Sequence, residues 1–149
     1  PQSAEAHNNR AGIKRSQDKL DEALADYNKP IELETTLALA YANRGLVRKA
    51  NGDFAGPLAD YNKAIEIDPH DATFYGARGE IYETQGDHAQ AIADYDKAIG
   101  IRPGLAMAYD SRGVAYMEQH RYAKAIADYS KAIAIDPKDS DGYENRGIT

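Results

Sequence analysis

The sequence repeats itself every 34 residues, and this period limits the folds open to the chain more than any other feature. A single globular core does not need such regularity, whereas a solenoid does, because each repeat presents the same surfaces to its neighbours. The repeats span residues 4–37, 38–71, 72–105 and 106–139, followed by a partial repeat at 140–149. We therefore predict one continuous array over residues 1–149. Two markers set the period: an Asp-Tyr pair at Asp26-Tyr27, Asp60-Tyr61, Asp94-Tyr95 and Asp128-Tyr129, and an arginine at Arg10, Arg44, Arg78, Arg112 and Arg146.

The charge balance argues against two classes of partner. The chain has 18 basic and 24 acidic residues and a net charge of −6, with no basic stripe of the kind that releases counterions from nucleic acid. The same balance argues against anionic membrane surfaces, and no apolar run approaches the length of a membrane span. Cysteine is absent, so the sequence predicts neither disulfides nor a thiolate metal site. The compartment stays open: a cytoplasmic location is preferred, and a periplasmic one is open if a signal peptide has been removed.

Each repeat has the pattern of two helices. Apolar residues recur at helical spacing in both halves of the third repeat. Gly-Asp pairs separate the halves, because glycine tolerates the left-handed end of one helix and aspartate can cap the next. A proline, which cannot extend a helix, ends each later repeat. The apolar positions are Phe74, Tyr75, Gly79, Ile81 and Tyr82, then Ala91, Ile92, Tyr95, Ala98 and Ile99; the separators are Gly52-Asp53 and Gly86-Asp87; the prolines are Pro69, Pro103 and Pro137.

These residues resemble the tetratricopeptide repeat family. The resemblance implies an all-α fold, a right-handed superhelical solenoid of antiparallel helix hairpins, with a concave groove lined by the first helix of each repeat. The resemblance covers four full repeats and part of the first helix of a fifth repeat. The matching slots hold small residues at Ala11, Gly45, Gly79, Gly113, Ala23, Ala91 and Ala125, and aromatic residues at Tyr41, Tyr75, Tyr109, Tyr27, Tyr61, Tyr95 and Tyr129.

The first repeat departs most from the family pattern. His7 stands where an aromatic residue is expected, and Thr35 where the closing proline is expected. Pro30 removes an amide inside the second helix, so we predict a kink or an early end near Lys29. Pro57 falls in or near a first helical turn, where its missing amide would have had no partner, so little damage is expected. Whether Pro30 and Pro57 are natural or engineered is left open.

The recurring arginine occupies a slot that normally holds leucine in this family. A row of guanidinium groups could bind anions, but an aspartate recurs with the same period. Two opposite charges with one period indicate a repeated internal contact, and long arginine stems pack well. We therefore interpret the arginines Arg10, Arg44, Arg78 and Arg112 as forming a structural ladder of ion pairs with Asp26, Asp60, Asp94 and Asp128.

The resemblance places the binding site on the first helices, in slots that differ from repeat to repeat. Arg15 and Lys49 make the first half of the groove basic, and an acidic second half also carries an apolar stripe. The predicted ligand is a peptide or partner helix with basic and apolar residues. Neutral drift of these slots, and a missing downstream helix that covers the stripe, are the alternatives. The predicted groove residues are Asn8, Arg15, Leu39, Leu46, Lys49, Thr73, Glu80, Glu83, Met107, Asp110, Val114 and Met117, with Glu118 beside them.

Other activities find little support. Family members that grip the carboxylate of chaperone tails use basic and amide side chains, and of the matching slots only Asn43 fits. The four histidines occupy different slots, and Asp68, His70 and Asp71 are better explained as a capped turn than as metal ligands. The periodic carboxylates are explained by the repeat, so they are poor acid–base candidates. We predict no enzyme activity and no cofactor.

Two further roles remain open. In a structural role, the array would associate with itself through its terminal repeats, because Tyr129, Ile133 and Ile135 have only a partial helix after them. In the other, the array would be an accessory region of a larger enzyme or regulator.

Overall fold

The computed structural model describes residues 3–33, 37–53 and 55–137, and within these ranges it contains eight α-helices and no strand. Each predicted repeat contributes two successive helices, so the all-α prediction is confirmed. No helix in the described ranges is long and apolar enough to cross a membrane. The helices are α1 (Ala4–Ser16), α2 (Leu20–Leu33), α3 (Ala38–Ala50), α4 (Gly56–Ile67), α5 (Ala72–Thr84), α6 (His88–Ile101), α7 (Ala106–Glu118) and α8 (Tyr122–Ile135).

The helices form two compact units, Pro1–His70 with α1 to α4 and Asp71–Thr149 with α5 to α8. We call them the N-terminal and C-terminal units. Within each unit the two helices of a repeat pack together, and the second helix of one repeat packs on the first helix of the next. That residues 1–149 act as one array stays a prediction.

The predicted small and aromatic slots form the cores of both units. In the N-terminal unit, Ala11, Ala23, Tyr27 and Val47 make one buried cluster. In the C-terminal unit, one cluster gathers Ala72, Ala98 and Ala108, and a larger one joins α6, α7 and α8. Small residues on one helix let the aromatic ring of the next approach closely. The larger cluster contains Ala91, Ile92, Tyr95, Ala115, Tyr116, Ala125 and Tyr129.

Glycines let two tyrosine rings lie directly on the backbone of a neighbouring helix. A methyl group at Gly79 would lie 2.7 Å from Cε1 of Tyr95, and one at Gly113 would lie 2.6 Å from Cε1 of Tyr129. Real Cβ atoms do not come this close to a ring, so both positions exclude larger residues. These contacts fix how α6 sits on α5 and how α8 sits on α7.

The turn between the two helices of a repeat always contains a residue with positive φ. Gly52 (φ 78°) and Gly86 (φ 75°) confirm the expected left-handed glycines. In the other two repeats this slot holds Asp18 (φ 60°) and His120 (φ 57°), whose left-handed conformation the glycine pattern did not predict. Aspartate and histidine are among the residues that most often accept this conformation without glycine's freedom. Asp87 then caps α6 by accepting a hydrogen bond from the backbone N–H of Gln90.

Pro30 and Pro57, the two prolines that depart from the family pattern, are buried and belong to helices. Pro57 occupies the first turn of α4, as expected. Pro30 lies within α2, which continues to Leu33, so the predicted early end near Lys29 is wrong. Pro30 removes the one hydrogen bond that its amide would donate to the carbonyl of Asp26, and only three residues of the helix follow it. Its ring is fully buried, and that packing favours the helical path.

Candidate functional site

Every repeat contains a two-pronged contact between an arginine on its first helix and an aspartate on its second. Arg10 donates to Asp26 through Nε (2.7 Å) and Nη2 (2.6 Å), and Arg78 donates to Asp94 in the same way at the same two distances. Arg112 also binds both oxygens of its aspartate. Such paired bonds suit the planar guanidinium and are stronger than single ones. The predicted ladder is confirmed in all four described repeats, the remaining pair being Arg44 and Asp60.

Two of these arginines also reach back to the preceding repeat of their own unit. Nη1 of Arg44 donates to Oδ1 of Asn28 at 2.9 Å, and Nη1 of Arg112 donates to Oδ1 of Asp96. Asn28 and Asp96 occupy the same slot on the second helices, two repeats apart. Each of these arginines therefore connects three helices, which the sequence analysis did not predict because the slot varies in residue type.

The two units surround the ladder differently. In the N-terminal unit, Lys14 adds a contact of 2.9 Å to Asp26, and Arg48 adds one of 2.9 Å to Asp60. The hydrogen bonds from Arg10, and then those from Lys14, lower the pKa of Asp26 to about 2. The aspartates of the ladder are buried and paired, so the arginines are structural rather than a row of open anion sites.

In the C-terminal unit, Tyr82 and Tyr116 stand where the N-terminal unit has Lys14 and Arg48. The guanidinium carbon of Arg112 lies 5.5 Å from the ring centre of Tyr109 and 5.8 Å from that of Tyr116. Arg78 has matching neighbours in Tyr75 and Tyr82. Contacts of this kind stabilise a cation that has lost much of its water. The hydrogen bonds to Asp128 raise the pKa of Arg112, so its charge is permanent.

The predicted groove residues of the N-terminal unit lie on α1 and α3. Leu39 and Leu46 are exposed, at 59% and 38%, and Arg15 is also exposed. Lys49 is half-buried. Asn8 is bonded within the protein, since Nδ2 of Asn43 donates to its Oδ1 at 3.3 Å. This face therefore offers apolar and basic groups.

The predicted groove residues of the C-terminal unit begin on α5. Thr73 is exposed, and Glu80 and Glu83 are half-buried. Oε1 of Glu83 lies 2.7 Å from Nδ1 of His88, the first residue of α6. The other oxygen of the same carboxylate, Oε2, is buried and has no hydrogen-bond partner within the described part of the chain. A buried carboxylate oxygen without a donor is costly, so this atom is a candidate contact for a ligand.

The apolar stripe on α7 is only partly open. Met107 is 59% exposed, but Val114 and Met117 are half-buried and pack against the core cluster of α6, α7 and α8. Val114 and Met117 are therefore only partly open, because their positions on the helix adjoin the core-facing side, and the use of the stripe as a binding patch stays a prediction. Asp110 is half-buried and Glu118 is exposed on the same helix.

Two tyrosine hydroxyls share this charged environment. Burial, followed by the charges of Glu83 and Glu80, raises the pKa of Tyr95. Burial, followed by Asp110 and Glu118, raises the pKa of Tyr129 to about 12. Tyr129 is fully buried, and its hydroxyl has no hydrogen-bond partner among the residues that the structure describes. The sequence analysis assigned both tyrosines to the core alone; the signal it missed was the acidic residues that surround the core slots.

The residues considered as metal ligands have structural roles. In the part of the chain that the structure describes, no group of three or more histidine, aspartate or glutamate side chains is placed to hold a metal ion. Asp71 caps α5 by accepting from the backbone N–H of Thr73, and Asp68 accepts from that of His70. These contacts confirm the interpretation as a capped turn.

The expectation of an uncovered core at the last described helix is wrong for two of its three residues. Tyr129 and Ile133 of α8 are buried, and Ile135 is half-buried. The exposed apolar residues of α8 are instead Tyr122 and Ile126, at 48% and 41%. They lie four positions apart and therefore on one side of the helix.

Family models described as the tetratricopeptide repeat match residues 36–106 and 106–139. A search of curated proteins by sequence gives no match. The two family matches together span residues 36–139, which is most of the chain.

Solved structures share the fold. The crystal structure of the MamA protein is 26% identical, with a TM-score of 0.82 over 92% of this chain and 75% of that one. A tetratricopeptide repeat protein from Parabacteroides merdae is 23% identical, with a TM-score of 0.86 over 97% of this chain and 57% of that one. The first repeat domain of Spaghetti (RPAP3), bound to an HSP90 peptide, is 21% identical, with a TM-score of 0.73 over 74% of this chain and 88% of that one.

Proposed function

The chain belongs to the tetratricopeptide repeat family, and from this premise we propose that it is a protein-interaction module whose C-terminal unit binds a peptide segment of a partner protein. The binding face consists of the variable slots of α5 and α7. Its ligand carries basic residues together with apolar ones. Repeats of this family generally act as scaffolds, so no catalytic step belongs to this proposal.

The observation that carries the proposal is the chemistry of that face. It combines Glu80, Glu83 and Asp110 with the open side chain of Met107. The cations of α5 and α7, Arg78 and Arg112, are held by buried aspartates and do not neutralise the face. Complementary charge favours a basic ligand, and an exposed methionine adapts to apolar side chains of different shapes.

A related structure supports peptide binding but not the same peptide. The Spaghetti domain holds an HSP90 peptide. In this chain, the slots that would grip the carboxylate of a chaperone tail hold Asn8, Gly12, Asn43, Thr73 and Ala77, none of them basic. If the frame of comparison is moved by one repeat, the same slots hold Ala42, Leu46, Ala77, Met107 and Ser111, and none of these side chains suits a carboxylate. The proposed ligand therefore has the opposite charge preference to an acidic tail.

The proposal can be tested by selecting ligands without assuming a partner. A random peptide library displayed on phage is panned against the immobilised chain, and against a variant with Glu83→Lys and Asp110→Lys. We expect the wild-type chain to enrich peptides with basic and apolar residues, and the charge-reversed variant to lose them. A matched control, Asp136→Lys with Glu66→Lys, makes the same change in net charge away from α5 and α7. Enrichment of acidic peptides, or equal enrichment by the charge-reversed variant, would contradict the proposal.

A second candidate is self-association through an exposed apolar side in the first half of α8. Tyr122 and Ile126 give this helix an exposed apolar side. Light scattering over a range of protein concentrations tests this role. Growth of the particle mass with concentration, abolished by Ile126→Glu, would favour assembly, whereas a constant monomer mass would remove the candidate.

A further inference from the structure

The stacking of one repeat on the next buries the same pair of positions in both units. In the N-terminal unit, Val47 of α3 shares a cluster with Leu24 of α2. In the C-terminal unit, Ala115 of α7 shares a cluster with Ile92 of α6. Val47 and Ala115 occupy the same position of their repeats and are fully buried. Leu24 and Ile92 likewise share a position, so one apolar contact recurs wherever a first helix covers the preceding second helix.

The first and last described helices carry the two halves of this contact in an open state. Ile13 of α1 holds the position of Val47, but it is 59% exposed. Ile126 of α8 holds the position of Ile92, which is 9% exposed, but Ile126 itself is 41% exposed. Each isoleucine therefore presents apolar surface that the stacking of repeats buries elsewhere in the chain.

The hydrogen bond between repeats also has both of its halves on these two helices. Its acceptors on second helices are Asn28 and Asp96, and the equivalent residue of α8 is Ser130. The hydroxyl of Ser130 donates to a backbone carbonyl of its own helix, so its oxygen is still able to accept. The equivalent donor on α1 is Arg10, whose side chain is 43% exposed, against 15% for Arg44. A polar contact therefore accompanies the apolar one in the same register.

We propose that α1 of one copy of this chain docks on α8 of a second copy and continues the stack of repeats. This inference rests on the self-association candidate above and names the surface that the partner contributes. Ile13 would pack on Ile126, and Arg10 would donate to the Ser130 hydroxyl. Because the two surfaces differ, the contact is heterologous and can repeat from copy to copy.

The competing occupant of α8 is the chain's own partial repeat. The 34-residue period aligns Arg146 of that repeat with Arg10, so the polar contact does not distinguish the two occupants. The apolar position does, because the period aligns Thr149 with Ile13. An isoleucine covers Ile126 with more apolar surface than a threonine, which favours the second copy.

The first test measures the mass of the full chain by light scattering over a range of concentrations. We expect the mass of the wild type to rise past about twice that of the monomer, because each docked copy leaves a further α1 and α8 open. Ile13→Glu and Ile126→Glu should each stay monomeric, because a charge at the centre of an apolar contact prevents docking.

Leu39→Glu is the matched control for Ile13→Glu. Leu39 is also a first-helix residue that is 59% exposed. Its equivalents Thr73 and Met107 are exposed as well, so this position takes no part in the stacking of repeats. We expect Leu39→Glu to assemble like the wild type. A loss of assembly in this variant equal to that in Ile13→Glu would contradict the docking of α1 on α8.

A mixture of the two monomeric variants identifies the surfaces. Ile13→Glu keeps an intact α8 and Ile126→Glu keeps an intact α1, so their equimolar mixture should form a dimer and nothing larger. Formation of this dimer also shows that both variants are folded. A symmetric contact between two copies of α8 would instead let Ile13→Glu dimerise alone, and that result would overturn the proposal.

Cysteine cross-linking provides an independent readout. The chain has no cysteine, so Ile13→Cys and Ile126→Cys each introduce a single thiol. With bismaleimidoethane, we expect cross-linked dimers when the two variants are mixed and none when either is treated alone. Leu39→Cys in place of Ile13→Cys should abolish the product. An equal yield with Leu39→Cys would show that the proposed register is wrong.

The outcomes separate this inference from self-association itself. If the mass grows equally for the wild type and Ile13→Glu, the chain associates through another surface and the docking of α1 on α8 is wrong. If the wild type stays monomeric throughout, both the docking and the self-association role are wrong. Neither result bears on the peptide-binding face of α5 and α7.

Discussion

Arg112 on α7 holds the carboxylate of Asp128 on α8 through two parallel hydrogen bonds, each 2.7 Å long. The same relationship recurs between residues 16 positions apart in every described repeat. It joins the two helices of a repeat at a slot where the family normally places leucine. A charged pair here is directional, so it fixes the relative position of the helices as well as their contact.

Removing one member of an arginine–aspartate pair of the ladder should lower the free energy of unfolding more than removing both members. We expect Asp94→Leu to lower the free energy of unfolding by about 3 kcal/mol, because the half-buried guanidinium of Arg78 loses its partner. Adding Arg78→Met should recover part of the loss, giving a coupling energy of about 1–3 kcal/mol. Urea unfolding of the wild type, both single variants and the double variant measures it.

An exposed ion pair provides the control for that cycle. Lys63 and Glu66 lie 2.8 Å apart on α4, and solvent screens this exposed pair, so its coupling energy should be much smaller than that of Arg78 and Asp94. Simple additivity of Arg78→Met and Asp94→Leu would show that the ladder does not stabilise the fold as a pair.

The bond from Arg112 to the preceding repeat should tolerate an amide in place of the carboxylate. Asp96→Asn keeps an oxygen acceptor and reproduces the arrangement of Asn28 with Arg44, so we expect a loss of at most about 0.5 kcal/mol. Asp96→Ala removes the acceptor and should cost about 1–2 kcal/mol. Thermal unfolding of both variants measures the difference. Equal losses would indicate that charge, rather than the hydrogen bond, matters at this slot.

The stability of the N-terminal unit should fall in acid through Asp26. Hydrogen bonds from Arg10, and then from Lys14, lower its pKa from the ordinary value of 3.8 to about 2. Its contribution is therefore fully present above about pH 4 and is lost as the pH falls toward 2. We expect this contribution to the free energy of unfolding to be only about 1 kcal/mol, because solvent screens the charge of the partly exposed Arg10.

The acid effect can be isolated by comparing the wild type with Asp26→Asn. Their difference in unfolding free energy should shrink as the pH falls from 4 to 2. A difference that stays constant over this range would mean that the Asp26 carboxylate is not stabilised by its partners. An NMR titration of the same carboxyl group gives the pKa directly.

Two glycines on first helices, Gly113 in the slot of Ala11 and Gly12 one position further along, should respond to alanine in opposite directions. At Gly113 the new methyl group would lie 2.6 Å from the Tyr129 ring, so we expect a loss of about 1–3 kcal/mol. At Gly12 the nearest atom is the Tyr27 hydroxyl oxygen at 3.8 Å, and the higher helix propensity of alanine should add about 0.5–1 kcal/mol. Denaturant unfolding of the two variants checks the signs. Destabilisation by both would show that the space at Gly12 is not available.

The helices, the core slots and the charged ladder could be predicted because they repeat. Arg78 and Asp94 keep a constant separation along the chain, and four copies of one spacing mark a real contact. The aromatic slot of Tyr27 and Tyr95 was placed in the core by the same reasoning, and both residues are buried. Features that occur once carry no such internal confirmation.

The sequence did not predict features that depend on tertiary packing. The helix continues past Pro30 because its ring is buried, which local propensity does not describe. Val114 and Met117 belong partly to the core because the boundary between the open and buried sides of α7 depends on the neighbouring helices. The unsatisfied oxygen of Glu83 depends on where His88 places its ring.

The most direct test of peptide binding by the C-terminal unit is a charge-swap matrix measured by calorimetry. It combines the wild-type chain and the Glu83→Lys, Asp110→Lys variant with the peptide Gly-Met-Lys-Met-Gly and its glutamate analogue. We predict a crossover, in which the wild type prefers the lysine peptide and the variant prefers the glutamate peptide. The same preference in both proteins, or no binding in any combination, would contradict the account.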